Sequence, residues 1–240
     1  MSAMRATSHH RRSLVAALGL VMAGIPQTLT RAQDLIGGRP GRLPPGQSVY
    51  RISGRVTVNG MSATRQTAIG IGDTIDTGPD GEIVFVLGEQ AMILRPGSRI
   101  VTQGGGGDTL LVSLLRIVSG QVLWVSRGAR TQIHTPTATI GIRGTGWYAE
   151  VEPGRTYFCT CYGTVDVAAN HDPRSRETVV ATHHDRPLYI LGESSPGRGI
   201  RPAPFINHTD QELALIEALV GRESPIVFPR SDYSVPRRGY

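Results

Sequence analysis

Two cysteines one residue apart, Cys159-Thr160-Cys161, have the clearest capacity for chemistry in this chain. Their setting, Thr156 to Cys161, reads as a strand, in which alternate side chains share a face. Both thiols then point the same way, with Cα atoms about 6.5–7 Å apart. Downstream, His183-His184-Asp185 stands just before a second strand-like run at Leu188-Tyr189-Ile190-Leu191. If the two segments are neighbours, two thiolates and one imidazole make three soft ligands for Zn²⁺ or Cu⁺. Adjacent residues of an extended chain face opposite ways, so one of His183 and His184 would join, and His134 or His171 could complete the set. Two other readings of the thiols stand beside this one. They are small core residues, or they form a disulfide, for which an extended i, i+2 pair lies near the upper geometric limit.

Other chemistries find less support. Gly-x-Ser-x-Gly and His-Glu-x-x-His are absent, and Gly104–Gly107 precedes neither a Lys-Ser/Thr pair nor a helix start. No catalytic residue is assigned, and the expectation is a protein that is not an enzyme. Asp73, Asp76 and Asp80 could bind Ca²⁺ or cap turns through their carboxylates. Arg143, between Gly141 and Gly144, could face a ligand or pair with an acid such as Glu150. Trp124, Trp147 and Tyr148 would serve a cell-envelope glycan binder if they were exposed.

The elements that must position these groups are almost all strands. From Tyr50 to Val167, short runs rich in Val, Ile and Thr are broken by Gly and Asp turns every 8–12 residues, which predicts a sandwich, roll or barrel. Ile52, Val56 and Val58 share one face, and Asn59-Gly60 suits a tight hairpin. Ile83–Leu87 and Ala91–Leu94 read as central strands, as does Val122–Val125. Leu110 to Val118 is an apolar run whose period does not separate strand from helix. One helix is predicted over 210–220: Thr209-Asp210-Gln211-Glu212 is a capping box, Leu213, Ile216, Leu219 and Val220 line one face, and Gly221 stops it.

The stretch Thr135-Pro136-Thr137-Ala138-Thr139-Ile140-Gly141-Ile142-Arg143-Gly144-Thr145-Gly146-Trp147-Tyr148 resembles the FecR domain, whose signature is Thr-Pro-x-Ala, an apolar pair, Gly-Thr and an aromatic. Gly72-Asp73-x-Ile75-x-Thr77-Gly78, Leu94-x-Pro96-x-Ser98, Gly120-x-Val122 and Gly163-Thr164-Val165 follow the family's order over about residues 50–168. Residues Arg143, Gly144, Thr145 and Trp147 form a ligand-facing or structural motif: Pro136 ends a strand, Gly141 and Gly144 permit a sharp return, and Trp147 re-enters the core. The resemblance implies an exported all-β domain that binds or scaffolds without enzymatic activity. The best-known members carry a cytoplasmic anti-sigma segment and a transmembrane helix ahead of this domain. Here only an export signal precedes it, so direct control of a sigma factor is not expected.

That signal occupies residues 1–32. Arg5, Arg11 and Arg12 precede an apolar stretch from Leu14 to Ile25, and Thr30-Arg31-Ala32 places small residues for cleavage. The stretch is short of the ~20 residues that span a membrane. Arg11-Arg12-Ser13-Leu14-Val15 fits either the Sec or the twin-arginine route. The formal net charge of +6 first suggests nucleic acid. However, the signal holds four arginines and no acid, and residues 221–240 add another +2, so residues 33–220 are net neutral and no nucleic-acid partner is expected. With two cysteines in 240 residues the chain is no disulfide scaffold. The expected organisation is a signal (1–32), a linker (33–48) and an all-β FecR-like sandwich or roll (49–192). An extension with one C-terminal α-helix (193–221) and a loose tail (222–240) follow. The expected role is a periplasmic domain in envelope sensing or a protein-interaction scaffold, with an envelope protein partner and no transmembrane helix in the mature chain. No cofactor is required unless Cys159, Cys161, His183 and His184 hold Zn or Cu, which would make it a metal-binding or redox protein.

Overall fold

The computed structural model describes residues 40–104, 112–126 and 130–227; the expected signal, the first part of the linker (33–39), much of the glycine loop and residues 228–240 of the tail lie outside them. The strands are β1 (Val49–Ser53), β2 (Val56–Val58), β3 (Met61–Ser62), β4 (Thr74–Thr77), β5 (Glu82–Leu87), β6 (Gln90–Leu94), β7 (Arg99–Gly104), β8 (Val112–Val125), β9 (Arg130–His134), β10 (Ala138–Glu152), β11 (Arg155–Ala169), β12 (Arg176–Ala181), β13 (Leu188–Leu191) and β14 (Ile200–Pro202), followed by α1 (Asp210–Leu219). The chain is therefore all-β with one C-terminal helix, as expected.

All the strands belong to one sheet. Its long members do double duty. The first half of β8 pairs with β7 and β9, and its second half pairs with β6 and β10. From Val112 on, the apolar run of undecided period is thus the start of a long strand that continues through Gly120, whose φ of +87° bends it. A side chain could not follow there, since a Cβ on Gly120 would lie 2.3 Å from the Ser98 Cα. Asn59 and Gly60 both take positive φ in the β2–β3 hairpin, as the Asn-Gly pair requires.

Two apolar clusters sit on opposite faces of the curled sheet. Alternate residues of the central strands fill the inner one, among them Phe85, Met92, Trp124, Trp147, Ala149 and Phe158. The residues between them, Val84, Ala91, Ile93, Leu123, Val125 and Tyr148, meet Leu213, Ile216 and Leu219 of α1 on the outer face. Coverage on both sides explains why β6 is buried at every position, while β9 keeps strict alternation. The extension after residue 192 is built into the domain, with β14 pairing to β13 and α1 lying on the outer face.

The segment Arg143–Trp147 departs from expectation. No sharp return occurs, because β10 runs continuously through it with a register shift between Arg143 and Trp147, and Gly144 takes φ +58°. Arg143 pairs with Asp166 of β11 at 3.0 Å instead of Glu150, which accepts from Tyr148 and Asn207. Thr145 is buried, and Trp147 does re-enter the core, stacked between Trp124 and Phe158. Trp124, Trp147 and Tyr148 are each fully buried, so these rings are not glycan anchors. The three aspartates do not converge either. Asp73 accepts from Gly70 and Asn59, Asp76 pairs with Arg99, and Asp80 accepts from the Arg55 amide.

Candidate metal centre

Strand alternation on β11 turns Phe158 inward and puts Cys159 and Cys161 together on the outer face. Both are free thiols and fully buried. The loop between β12 and β13 folds back over them. The His184 amide donates to the Cys161 carbonyl at 2.9 Å, and the Asp185 carboxylate accepts from the Thr182 and His183 amides to shape the turn. From the other side comes the segment leading into α1, where Thr209 and Glu212 form the capping box and His208 sits one residue before the cap.

The thiols, His184 and His208 converge, with one ligand atom from each inside a sphere where all lie within 4.8 Å of one another. His184 is 25 residues beyond Cys159 and His208 a further 24. Cys159 Sγ is 3.5 Å from His184 Nδ1, which is 3.1 Å from His208 Nε2. Around one tetrahedral Zn²⁺ the corresponding edges would be about 3.6 Å from sulfur to nitrogen and about 3.3 Å between nitrogens. The donors already stand near those separations.

His208 Nδ1 lies 2.7 Å from the Ile206 carbonyl, which can only accept, so Nδ1 carries the hydrogen and Nε2 of the neutral ring is bare. In its neutral form His184, donating from Nε2 to Asp210 Oδ1 at 2.9 Å, leaves Nδ1 bare as well. Two nitrogen lone pairs therefore face each other beside a sulfur, and the space between them calls for a cation, either a proton or a metal. The outer hydrogen bonds, one to a carboxylate and one to a backbone carbonyl, are the type that orients metal-ligating imidazoles. Tyr148 stacks on one face of His208 at 4.5 Å and Phe205 meets the ring at 4.7 Å, while Glu150 ties Tyr148 to Asn207.

The electrostatics fit thiolate formation. The Cys161 thiol, followed by His184 and His208, pulls Cys159 down to about 4, whereas burial pushes Cys161 well up. Burial works against charge on His184, yet Cys159 and Asp210 raise it on balance. Cys159, His184 and Asp210 also line up as nucleophile, base and orienting acid. But the Cys159 sulfur is closed to solvent, and Cys161 and His208 crowd the same point, so a substrate atom has no approach.

The structure brings Cys159, Cys161 and His184 together, and His208 joins them as a fourth candidate donor. His183 lies outside this group, with its side chain 58% exposed and its Nε2 on Asp210 Oδ2 at 2.9 Å. His134, on β9 beside Arg116, is not among the converging donors, and His171 is exposed. His208 carried a signal in the sequence, a histidine directly before a helix cap, but nothing local tied it to β11.

No helix among the described residues is long and apolar enough to cross a membrane. No family model matches the chain, and no curated protein matches it. Two crystal structures of a candidate anti-sigma factor from Parabacteroides distasonis ATCC 8503, at 2.50 and 1.65 Å resolution, are similar to it, each at 14% identity with a TM-score of 0.42. The likeness covers 54% of this chain and 58% of that protein's, and it carries nothing about function.

Proposed function

We propose that this protein is a metal-binding, non-catalytic β domain in which Cys159, Cys161, His184 and His208 hold one Zn²⁺ in a closed tetrahedral site. The observation that carries the reading is the convergence of two imidazole nitrogens, 3.1 Å apart, beside the Cys159 sulfur. Four protein donors leave no open coordination position, which is the arrangement of a structural site, whereas a catalytic zinc keeps one position for water. Two thiolates with two imidazoles suit Zn²⁺; Cu⁺ shares the soft-ligand preference and is the competing occupant. The signal-like leader and the FecR-like motifs support a setting in the cell envelope, where the domain would act in sensing or as a scaffold for a protein partner.

Elemental analysis of protein purified under reducing conditions, run beside thiol titration, tests the reading. One zinc per chain is expected, with both thiols unreactive until a chelator is added. Metal-free protein whose two thiols react fully in the native state would overturn it, and copper in place of zinc would overturn the metal assignment.

A further inference from the structure

We infer that the bound metal acts as a latch that holds the C-terminal segment, residues 203–222, on the outer face of the sheet. This rests on the metal-binding reading above. Three ligands come from the β domain, two on β11 and one on the β12–β13 loop, whereas His208 belongs to the segment that leads into α1. A metal held by these four therefore cross-links the helix to the sheet, closing a long loop much as a disulfide does.

Two further observations point to a held conformation. Only three non-glycine residues among the described ones take positive φ, and two of them, His184 (+54°) and Asn207 (+58°), flank this site. Such backbone persists where its surroundings over-determine it. Beneath α1, buried polar pairs stand beside the apolar contacts of Leu213, Ile216 and Leu219. Arg95 and Glu212 form a buried ion pair, Glu217 accepts from Tyr162, Arg222 donates to the Glu89 carbonyl, and Asn207 donates to Glu150. Buried ion pairs set geometry more than they add net stability. The apolar patch under the helix, formed by Val84, Ile93, Leu123, Val125 and Tyr148, is covered by Leu213, Ile216 and Leu219 only while the segment is docked. Loss of the metal undocks residues 203–222 and leaves the β domain folded, because the inner cluster draws nothing from α1.

The test is hydrogen–deuterium exchange of the full chain under reducing conditions, zinc-loaded and after zinc removal by a strong chelator, with zinc stoichiometry measured on the same samples. Amides of 210–220 should exchange at least about tenfold faster without zinc, while β10 amides 138–150 keep their protection; zinc added back should restore it. His208→Ala, whose fold is checked by those same β10 amides, should behave as the zinc-free protein does in either condition. Stoichiometric zinc with unchanged exchange at 210–220 overturns the latch and leaves the metal site standing. Loss of β10 protection on zinc removal also overturns it, since the metal would then hold the whole domain. Absence of zinc binding overturns the metal-binding reading itself.

Discussion

At the scale of single residues, the site is defined by which nitrogen of each imidazole is left bare. Removing a direct donor and disturbing its orienting partner therefore have different sizes. His208→Ala removes a donor, and zinc affinity measured by competition with a chromophoric chelator is expected to fall by more than about 100-fold, since it takes away a ligand itself and outer partners alone are worth 10–100-fold. Asp210→Asn keeps all four donors but weakens the orientation of His184, so a loss of about 10–100-fold is expected. His183→Ala, outside the donor set, should change affinity by less than about threefold; a loss as large as that of His208→Ala would reinstate His183 as a ligand. The two cysteines and the His183-His184 pair were legible as candidates in the sequence because period-two alternation and ligand chemistry are local. The choice of His208 over His183 was not, since it depends on a segment that approaches from another element. The partner of Arg143 was illegible for the same reason. Asp166 reaches it across a strand pair that the register, Arg143 opposite Thr164, sets diagonally.

At the scale of elements, α1 and the turns around it decide whether the donors meet. The helix was legible almost to the residue from its capping box, and Thr209→Ala is expected to cost about 1 kcal/mol in chemical denaturation. Breaking the buried Arg95–Glu212 pair with Glu212→Gln costs more, about 3–5 kcal/mol, because it leaves the Arg95 charge buried without its carboxylate. Gly120→Ala should destabilise by more than about 1 kcal/mol, as it meets both a positive φ and the Ser98 backbone. The bend at Gly120 escaped a reading by periodicity, because two short strands and one long bent strand have the same alternation. Asp172 ties the β11–β12 turn to the segment before β14, accepting from the Ser175 hydroxyl and the Gly197 amide. Ser175 first, then the Gly197, Arg174 and Gly199 amides, hold its carboxyl below the usual carboxylate range. The folded value is depressed, so its contribution to stability is present above the unfolded value of about 3.9 and is lost as pH falls through the lower folded value. Asp172→Asn is expected to lower the melting temperature at pH 7 and to flatten the acid limb of the stability profile. An acid limb identical to wild type would contradict this.

At the scale of the whole molecule, a single curled sheet carries one core inside and a second, smaller one under the helix. The all-β class with one helix followed from turn spacing and the capping box; the two-sided burial did not, since an apolar run such as Ala91–Leu94 has no period to read. The basic charge of residues 1–32 and 221–240 says nothing about this folded body, and what distinguishes it is the place where β11, the β12–β13 loop and the approach to α1 meet. X-ray absorption at the zinc edge on the purified, reduced protein tests that meeting point most directly. The account predicts one zinc per chain with a first shell of two sulfurs at about 2.3 Å and two imidazole nitrogens at about 2.0–2.1 Å. A first shell without sulfur, or no zinc at all, would contradict it.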